Sequence, residues 1–274
     1  MTLQRGFTLI EMAIVLVIIT ILVGGLAMPL SAQIQARRIA ETNRTLDEAR
    51  DAILGFAMSN TSGQCICAYS SGLLQGPPAT TCPANLCPTS VTGTTTLTIR
   101  PRHFLPCPDT DGDGIENRNS IGNCTQYIGW FPWVTLGVAA QDAWGNRLNY
   151  AVTDAFSRSS GFSNSDTGNL TVCSSSANAG ASDCTSGNVA DKVPVVLLSH
   201  GPNGWGALNV NGNTLANPAS NDEQENANTK NTDTEFVSRT PSKAGDPAGE
   251  FDDLLRWISA DQIRGRICPA GGCP

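Results

Sequence analysis

A chain of 274 residues is long enough to bury one well-packed core, and only 15% of its residues are charged. Its formal net charge of −7 argues against nucleic acid as a partner, because phosphate binding needs a basic surface. Ten cysteines, an even and high count for this length, predict disulfides and an oxidising compartment.

The first predicted element is one long helix from about Phe7 to Met58. Residues 12–28 form an almost uninterrupted apolar run, and together with residues 7–11 they would span roughly 33 Å as a helix at about 1.5 Å per residue. That length is enough to cross a bilayer. The one cation of the short leader, Arg5, predicts a cytoplasmic N-terminus, so that the rest of the chain is exported.

The second half of this helix is predicted to be amphipathic. Ile39, Leu46 and Ile53 recur every seven residues, with charged residues between them. An ordinary secretory signal peptide, cut at a small-residue site such as Leu30-Ser31-Ala32, is the alternative. Two features argue against it: the helical pattern continues past that site, and Glu11 lies inside the apolar run, where a carboxylate is costly and usually serves a partner.

The segment Arg5-Gly6-Phe7-Thr8-Leu9-Ile10-Glu11 resembles the type IV prepilin motif, which is found in pilins and in the pseudopilins of type II secretion systems. The resemblance implies that prepilin peptidase cleaves between Gly6 and Phe7, that Phe7 is N-methylated, and that the helix is kept as membrane anchor and assembly element. The carboxylate of Glu11 could neutralise the Phe7 amino group of a neighbouring subunit. The predicted parts are a leader peptide at residues 1–6, a transmembrane and assembly helix at 7–30, an amphipathic helix at 31–59 and a globular periplasmic or extracellular domain at 60–274.

The globular domain is predicted to be rich in strands and loops. Residues 60–100 form a disulfide-pinned surface loop, and residues 157–190 and 211–248 are long polar loops. Aromatic and β-branched residues predict strands at Thr94–Arg100, Trp130–Leu136, Arg147–Val152 and Val193–Ser199. The fold class is therefore α+β and type IV pilin-like, with the helix packed on an antiparallel sheet through Ile39, Leu46, Ile53 and Leu54.

The cysteines fall in close pairs along the chain. Local pairing predicts three disulfides, which are Cys107–Cys124, Cys173–Cys184 and Cys268–Cys273. The pairing of the remaining four stays open, and a zinc site built from them is the alternative, although their spacing is irregular. These four are Cys65, Cys67, Cys82 and Cys87.

Calcium is the predicted cofactor, and one candidate site is local. Asp109, Asp111 and Asp113 alternate, with Gly114 at the sixth position, as at the start of an EF-hand-type loop whose oxygen ligands converge on one ion. The twelfth position is Ser120 instead of the usual Glu. A solvated Asp-Gly turn held between two disulfide-bonded cysteines is the alternative.

A second candidate site rests on resemblance. Three segments resemble, in the same order, the C-terminal region of the major pseudopilin: Asp142–Asn146, Leu198–Gly204 and Asp252–Trp257. The resemblance implies calcium binding between the second and third segments, at Asn203 and at Asp252 or Asp253. Asn203 replaces an Asp of the family pattern and so removes one negative charge.

Two functions fit the sequence. The first is a structural subunit, pseudopilin or minor pilin, of a type II secretion or type IV pilus filament. It would be held in the inner membrane as a single-pass protein with a periplasmic domain, and then join other such subunits in a periplasmic or cell-surface filament. The second is an adhesin-like minor pilin that contacts a surface or secreted substrate through its Cys-rich or Asn-rich loops. We expect no enzymatic activity, because Ser199 and His200, as neighbours on a strand, would point to opposite faces.

Overall fold

A computed structural model describes residues 8–69, 72–78, 96–178, 184, 187–227, 234–268 and 273, with only the backbone at 23–30 and 61–101 wherever these are described. The chain forms two compact units, Met1–Glu41 and Thr42–Pro274. The helices are α1 (Leu9–Ser59), α2 (Trp133–Leu136), α3 (Asp154–Ser157), α4 (Asn221–Ala227) and α5 (Ala260–Ile267). The strands are β1 (Thr61–Tyr69), β2 (Gly72–Pro78), β3 (Thr96–His103), β4 (Ile128–Trp130), β5 (Asn149–Val152), β6 (Leu170–Cys173), β7 (Asn188–Val193), β8 (Val195–Ser199), β9 (Glu235–Val237) and β10 (Leu254–Ile258).

Helix α1 is the predicted long helix, and its C-terminal part supplies one wall of the core. Leu46 and Ile53 are fully buried, as are their neighbours on the same face, Ala49 and Ala57, because residues three to four apart share one side of a helix. Ile39 was expected on this packing face. That expectation is wrong: Ile39 is 37% exposed and belongs to the first unit, whereas the core residues of α1 all follow Thr42.

Within the described residues, no helix has an apolar stretch long enough to cross a membrane.

The central sheet is antiparallel, with strand order β10-β8-β5-β4. Both faces of strand β8 are covered. Val195 and Leu197 pack in the hydrophobic cluster that contains the α1 side chains, and Val196 and Leu198 pack in a second hydrophobic cluster. A strand buried on both faces reads as a continuous apolar run. The second cluster is completed by a smaller sheet of order β7-β6-β9, in which β6 and β9 are parallel.

The fold is thus mixed helix and antiparallel sheet, and several predicted boundaries shift. Residues 130–136 were expected to form one strand, yet β4 ends at Trp130 and α2 follows. Pro132 cannot donate a ladder hydrogen bond, and Gly137 ends α2 in the left-handed region at φ 67°.

The segments predicted as loops also contain regular structure. Residues 60–100 hold β1, β2 and part of β3, which make an antiparallel sheet of order β2-β1-β3. Residues 157–190 hold β6 and part of β7, and residues 211–248 hold α4 and β9. These segments are rich in polar and small residues, so apolar periodicity does not predict their strands and helix.

Candidate assembly helix and candidate cation site

The N-terminus of α1 is closed by a reciprocal cap. The carboxylate oxygen Oε2 of Glu11 accepts hydrogen bonds from the Thr8 backbone N–H at 2.7 Å and from the Thr8 hydroxyl at 2.8 Å. The Glu11 backbone N–H donates in return to Thr8 Oγ1 at 3.3 Å. This is a capping box, which the Thr-x-x-Glu spacing encodes and which was not among the predicted features. Gly6 and Phe7 lie outside the described residues.

The surface of α1 that follows the cap is apolar on every side. From residue 9 to residue 22 the side chains are exposed, including Leu9 at 91% and Ile21 at 68%. A helix that is apolar all round is normally covered by other helices or by lipid. The first unit therefore presents a surface built for apolar surroundings.

A second site lies where α4 meets the start of β10. Glu223, in the first turn of α4, comes together with Asp252 and Asp253, which directly precede β10. One carboxylate oxygen of each lies within 4.8 Å of the others. Glu223 and Asp253 are buried. We call Glu223, Asp252 and Asp253 the acidic cluster; Glu223 was not among the residues predicted from sequence.

Asn203 connects this cluster to the loop after β8. Its side-chain amide donates to both carboxylate oxygens of Glu223, at 3.1 and 3.3 Å, and its backbone N–H donates to Asp252 Oδ2 at 3.2 Å. Asp253 Oδ2 accepts from the amide of Asn226 at 2.8 Å. The structure therefore gathers the predicted Asn203, Asp252 and Asp253 into one place.

The negative charge of the acidic cluster is not fully compensated by positive charges nearby. Burial raises the pKa of Asp252 to about 7, and the charge of Glu223 adds to the effect. Burial, and the charge of Asp253, likewise raise the pKa of Glu223. Among the described residues, the one ion-pair contact of the cluster is from His200 Nδ1 to Asp253 Oδ1, at 3.7 Å.

Among the residues that the structure describes, none donates a hydrogen bond to two buried oxygens of the cluster, Asp252 Oδ1 and Asp253 Oδ1. Leaving a buried carboxylate oxygen unsatisfied is costly. A hard divalent cation such as calcium is bound by oxygens of this kind, usually six to eight of them including backbone carbonyls and water. The residues present thus fit a cation.

The Asp109 loop has a different character. Asp109 is fully buried, and its carboxylate accepts backbone N–H bonds from Asp111, Gly112 and Gly114 at 2.7 to 3.1 Å. Burial raises its pKa. Asp111 and Asp113 are exposed, and the three carboxylates lie close together. The buried carboxylate of Asp109, however, already accepts hydrogen bonds from the backbone of its own turn. This geometry favours the turn alternative over an ion site.

Each of the three segments Asp142–Asn146, Leu198–Gly204 and Asp252–Trp257 contacts the next one along the chain. Asp142 closes its own turn by accepting from the Trp144 and Asn146 backbone N–H groups at 2.9 Å, and it accepts from the Ser199 hydroxyl at 2.7 Å. Asn203 then links the second segment to Asp252 in the third. The Ser199 hydroxyl is directed at a carboxylate and not at His200.

The cysteines that the structure describes with side chains form the three expected pairs: Cys107–Cys124, Cys173–Cys184 and Cys268–Cys273. Cys65 and Cys67 lie on β1, where only the backbone is described, and Cys82 and Cys87 lie outside the described residues.

Comparison with known proteins adds one finding. Residues 1–27 match the family model of the prokaryotic N-terminal methylation motif, which is the signature of type IV prepilin-like proteins. No curated protein and no solved structure matches the chain.

Proposed function

We propose that this chain, which carries the type IV prepilin-like signature, is a structural subunit of a type II secretion or type IV pilus filament, as a pseudopilin or minor pilin. The observation that carries the proposal is the all-round apolar surface of α1 directly after the capped Glu11. Such a helix is suited to a membrane before assembly and to a bundle of like helices afterwards.

Processing by prepilin peptidase between Gly6 and Phe7 would create a new amino group on Phe7, the residue directly before the cap residue Thr8. Methylation of that amine leaves its positive charge in place. In an apolar bundle an isolated cation is costly, and a carboxylate from a neighbouring subunit offsets the cost. Glu11 supplies this carboxylate in our proposal, with the inner membrane holding the subunit until it joins the filament.

We further propose that calcium binds the acidic cluster. Glu223, Asp252 and Asp253 would provide carboxylate oxygens, and the unsatisfied Oδ1 atoms of the two aspartates support this assignment. Bound calcium supplies two positive charges to a buried group of acids. Asn203 donates hydrogen bonds to both Glu223 and Asp252. It thereby connects the loop after β8 to α4 and to the residues that precede β10.

An adhesin-like minor pilin is the second candidate. A polar cleft of about 520 Å³ favours it, because it lies between the turn after β6 and the start of α4 and is lined by serines, Asn221 and the Asp222–Arg239 pair. A cleft rich in hydroxyl and amide groups suits a polar ligand. We propose a binding role for this cleft and not a catalytic one.

The filament role is tested with Glu11→Val, followed by mass spectrometry of the exported protein and by filament isolation. We expect the variant to be inserted and to begin at a methylated Phe7 like the wild type, but to be absent from filaments. Thr8→Val is the matched control, since it removes the capping hydroxyl and keeps the carboxylate; it should still assemble. Glu11→Val subunits at wild-type levels in filaments would refute the assembly role, and a chain starting near Ala32 would make the protein an ordinary secreted one.

A further inference from the structure

His200 places a ring nitrogen beside the acidic cluster. It directly follows β8, and its side chain is fully buried. Its nitrogen Nδ1 lies 3.7 Å from Asp253 Oδ1. Within the part of the chain that the structure describes, neither of these two atoms has a hydrogen-bond partner. A buried nitrogen and a buried carboxylate oxygen therefore lie close together without a hydrogen bond between them.

The distance between these two atoms is too long for a hydrogen bond and close to that of two ligands on one metal ion. A hydrogen bond from a charged nitrogen donor to a carboxylate is about 2.7–2.9 Å long. Two ligands held at about 2.0–2.1 Å by a tetrahedral zinc ion are roughly 3.4 Å apart. A small movement of either side chain would thus allow one ion to contact both His200 Nδ1 and Asp253 Oδ1.

The other polar atoms of these two side chains are held by residues from other strands. Asp253 Oδ2 accepts from Asn226 Nδ2 at 2.8 Å, and Asn226 Oδ1 accepts the Val237 backbone N–H at 2.7 Å. His200 Nε2 lies 3.0 Å from the side-chain amide of Asn149 on β5. Ligands of metal ions are usually oriented by such hydrogen bonds at their second polar atom. The atoms that can bind an ion are therefore His200 Nδ1 and Asp253 Oδ1.

Asn149 can set the ring of His200 in the tautomer that a metal requires. Rotating its amide by half a turn exchanges the nitrogen and the oxygen, which are similar in size, and presents Oδ1 to His200 Nε2. Nε2 then carries the ring proton and donates it to Oδ1, and the lone pair is on Nδ1. Asn149 Oδ1 is buried and has no partner among the described residues, so the rotation loses no hydrogen bond overall.

The nitrogen of His200 changes the class of ion that fits. Calcium is bound through oxygen atoms, whereas an imidazole nitrogen is a typical ligand of zinc and other first-row transition metals. The acidic cluster supplies carboxylates from Glu223, Asp252 and Asp253, one oxygen of each within 4.8 Å of the others. One imidazole with two or three carboxylates is a donor set that suits a zinc ion.

We propose that His200 and the acidic cluster form a site for a divalent transition-metal ion of the zinc type, which competes with calcium for the same carboxylates. His200 Nδ1 and Asp253 Oδ1 bind the ion, and Asp252 and Glu223 complete its ligands. This metal site rests on the cation binding proposed above for the acidic cluster, and it is independent of the filament role.

Calorimetric titration of the metal-free, detergent-solubilised full chain with zinc, and separately with calcium, tests the role of the nitrogen. His200→Gln keeps a polar atom near the position of Nε2 and removes Nδ1. It should weaken zinc binding by at least about tenfold and leave calcium binding unchanged. His103→Gln replaces the other histidine of the chain and is the matched control, with both affinities as in the wild type. Zinc binding that is unaffected by His200→Gln, as it would be if cysteines held the ion, overturns the proposal.

NMR of the wild type gives a second measurement that does not depend on how a variant folds. In protein with isotope-labelled histidine, long-range proton–nitrogen spectra separate the ring nitrogens of the two histidines, and the His103→Gln spectrum identifies those of His200. One equivalent of zinc should shift the His200 Nδ1 signal strongly, whereas calcium should shift it little. A His200 Nδ1 signal that zinc leaves unmoved refutes the site.

Thermal melts with each ion separate the zinc site from the calcium proposal that it rests on. If calcium raises the melting temperature and zinc does not bind through His200, the calcium proposal stands and the zinc site is wrong. If zinc binds through His200 and calcium has no effect, the zinc site stands and calcium is the wrong ion. If neither ion raises the melting temperature, both proposals fail.

Discussion

At the residue scale, the acidic cluster makes stability depend on pH and on calcium together. The pKa of Asp252 in the folded protein, about 7, lies above the value of about 3.9 expected for an unfolded aspartate. The folded state therefore binds more protons than the unfolded state between these two values. Without a bound cation, the free energy of unfolding should fall as the pH rises from about 4 to about 7, and this contribution should then level off.

Asp252→Asn is the variant that isolates this effect. It removes the titrating group, so the fall in unfolding free energy between pH 4 and pH 7 should shrink by an amount of order 1 kcal/mol, a figure reduced because Asp252 keeps partial solvent contact. Calcium should raise the melting temperature of the wild type at pH 7.5 by more than at pH 5, and that of Asp252→Asn by little. Thermal melts in chelator and in millimolar calcium measure this. An equal calcium shift in both proteins would place the ion elsewhere.

At the element scale, the loop from Cys107 to Cys124 is held by several independent contacts. Both cysteines are buried, and Glu116 accepts the Cys107 backbone N–H at 2.8 Å while pairing with Arg118 at 3.0 Å. The carboxylate of Asp109 closes the turn inside the loop by accepting the Gly114 backbone N–H. Gly114 has φ 82°, and a Cβ at this position would collide with the Trp133 ring. The loop also pairs with the end of β4, where Asp109 and Trp130 exchange backbone hydrogen bonds at 2.9 Å.

Replacing both Cys107 and Cys124 with Ser should lower the free energy of unfolding by about 2–4 kcal/mol, because the unfolded chain regains the entropy of the loop. Urea unfolding of the two proteins measures the difference. The comparison pair is Cys268 and Cys273, which closes a much shorter loop and should contribute less in the chain-entropy account. A larger loss from the second pair would show that packing, and not loop length, decides the contribution.

At the scale of the whole molecule, the two units differ in how they gain stability. The second unit has its own buried clusters, and within the described residues no member of them precedes Leu46. The first unit exposes its apolar side chains from residue 9 to residue 22 and contributes none to these clusters within the described residues. A chain that begins at residue 31 should accordingly fold as the second unit does in the full-length protein.

This expectation is checked with circular dichroism and thermal melts of residues 31–274 beside the detergent-solubilised full chain. The melting transition of the second unit should agree within a few degrees, because the same core residues are present in both. The truncated chain should bind no filament, since it lacks the apolar segment and Glu11. A melting temperature lowered by ten degrees or more would contradict the independence of the second unit.

Several features could be predicted because they depend on residues that are near one another in sequence. Apolar length and seven-residue spacing predicted α1, and strands β5 and β8 lie within the predicted segments to within two residues. The N-terminal motif is a contiguous segment, and the family model matches it. The three cysteine pairs close short loops, so their spacing alone indicates the pairing.

Other features depend on tertiary contacts. Glu223 joins Asp252 and Asp253 because α4 meets the residues that directly precede β10, and no local pattern brings together residues nearly thirty positions apart. Ile39 follows the seven-residue repeat, yet the core begins after it, since a repeat marks a helix face and not where that face is covered. The sequence by itself determined the motif, the long helix and the local cross-links, whereas packing between distant segments decided the acidic cluster, because burial and charge balance are properties of the assembled fold.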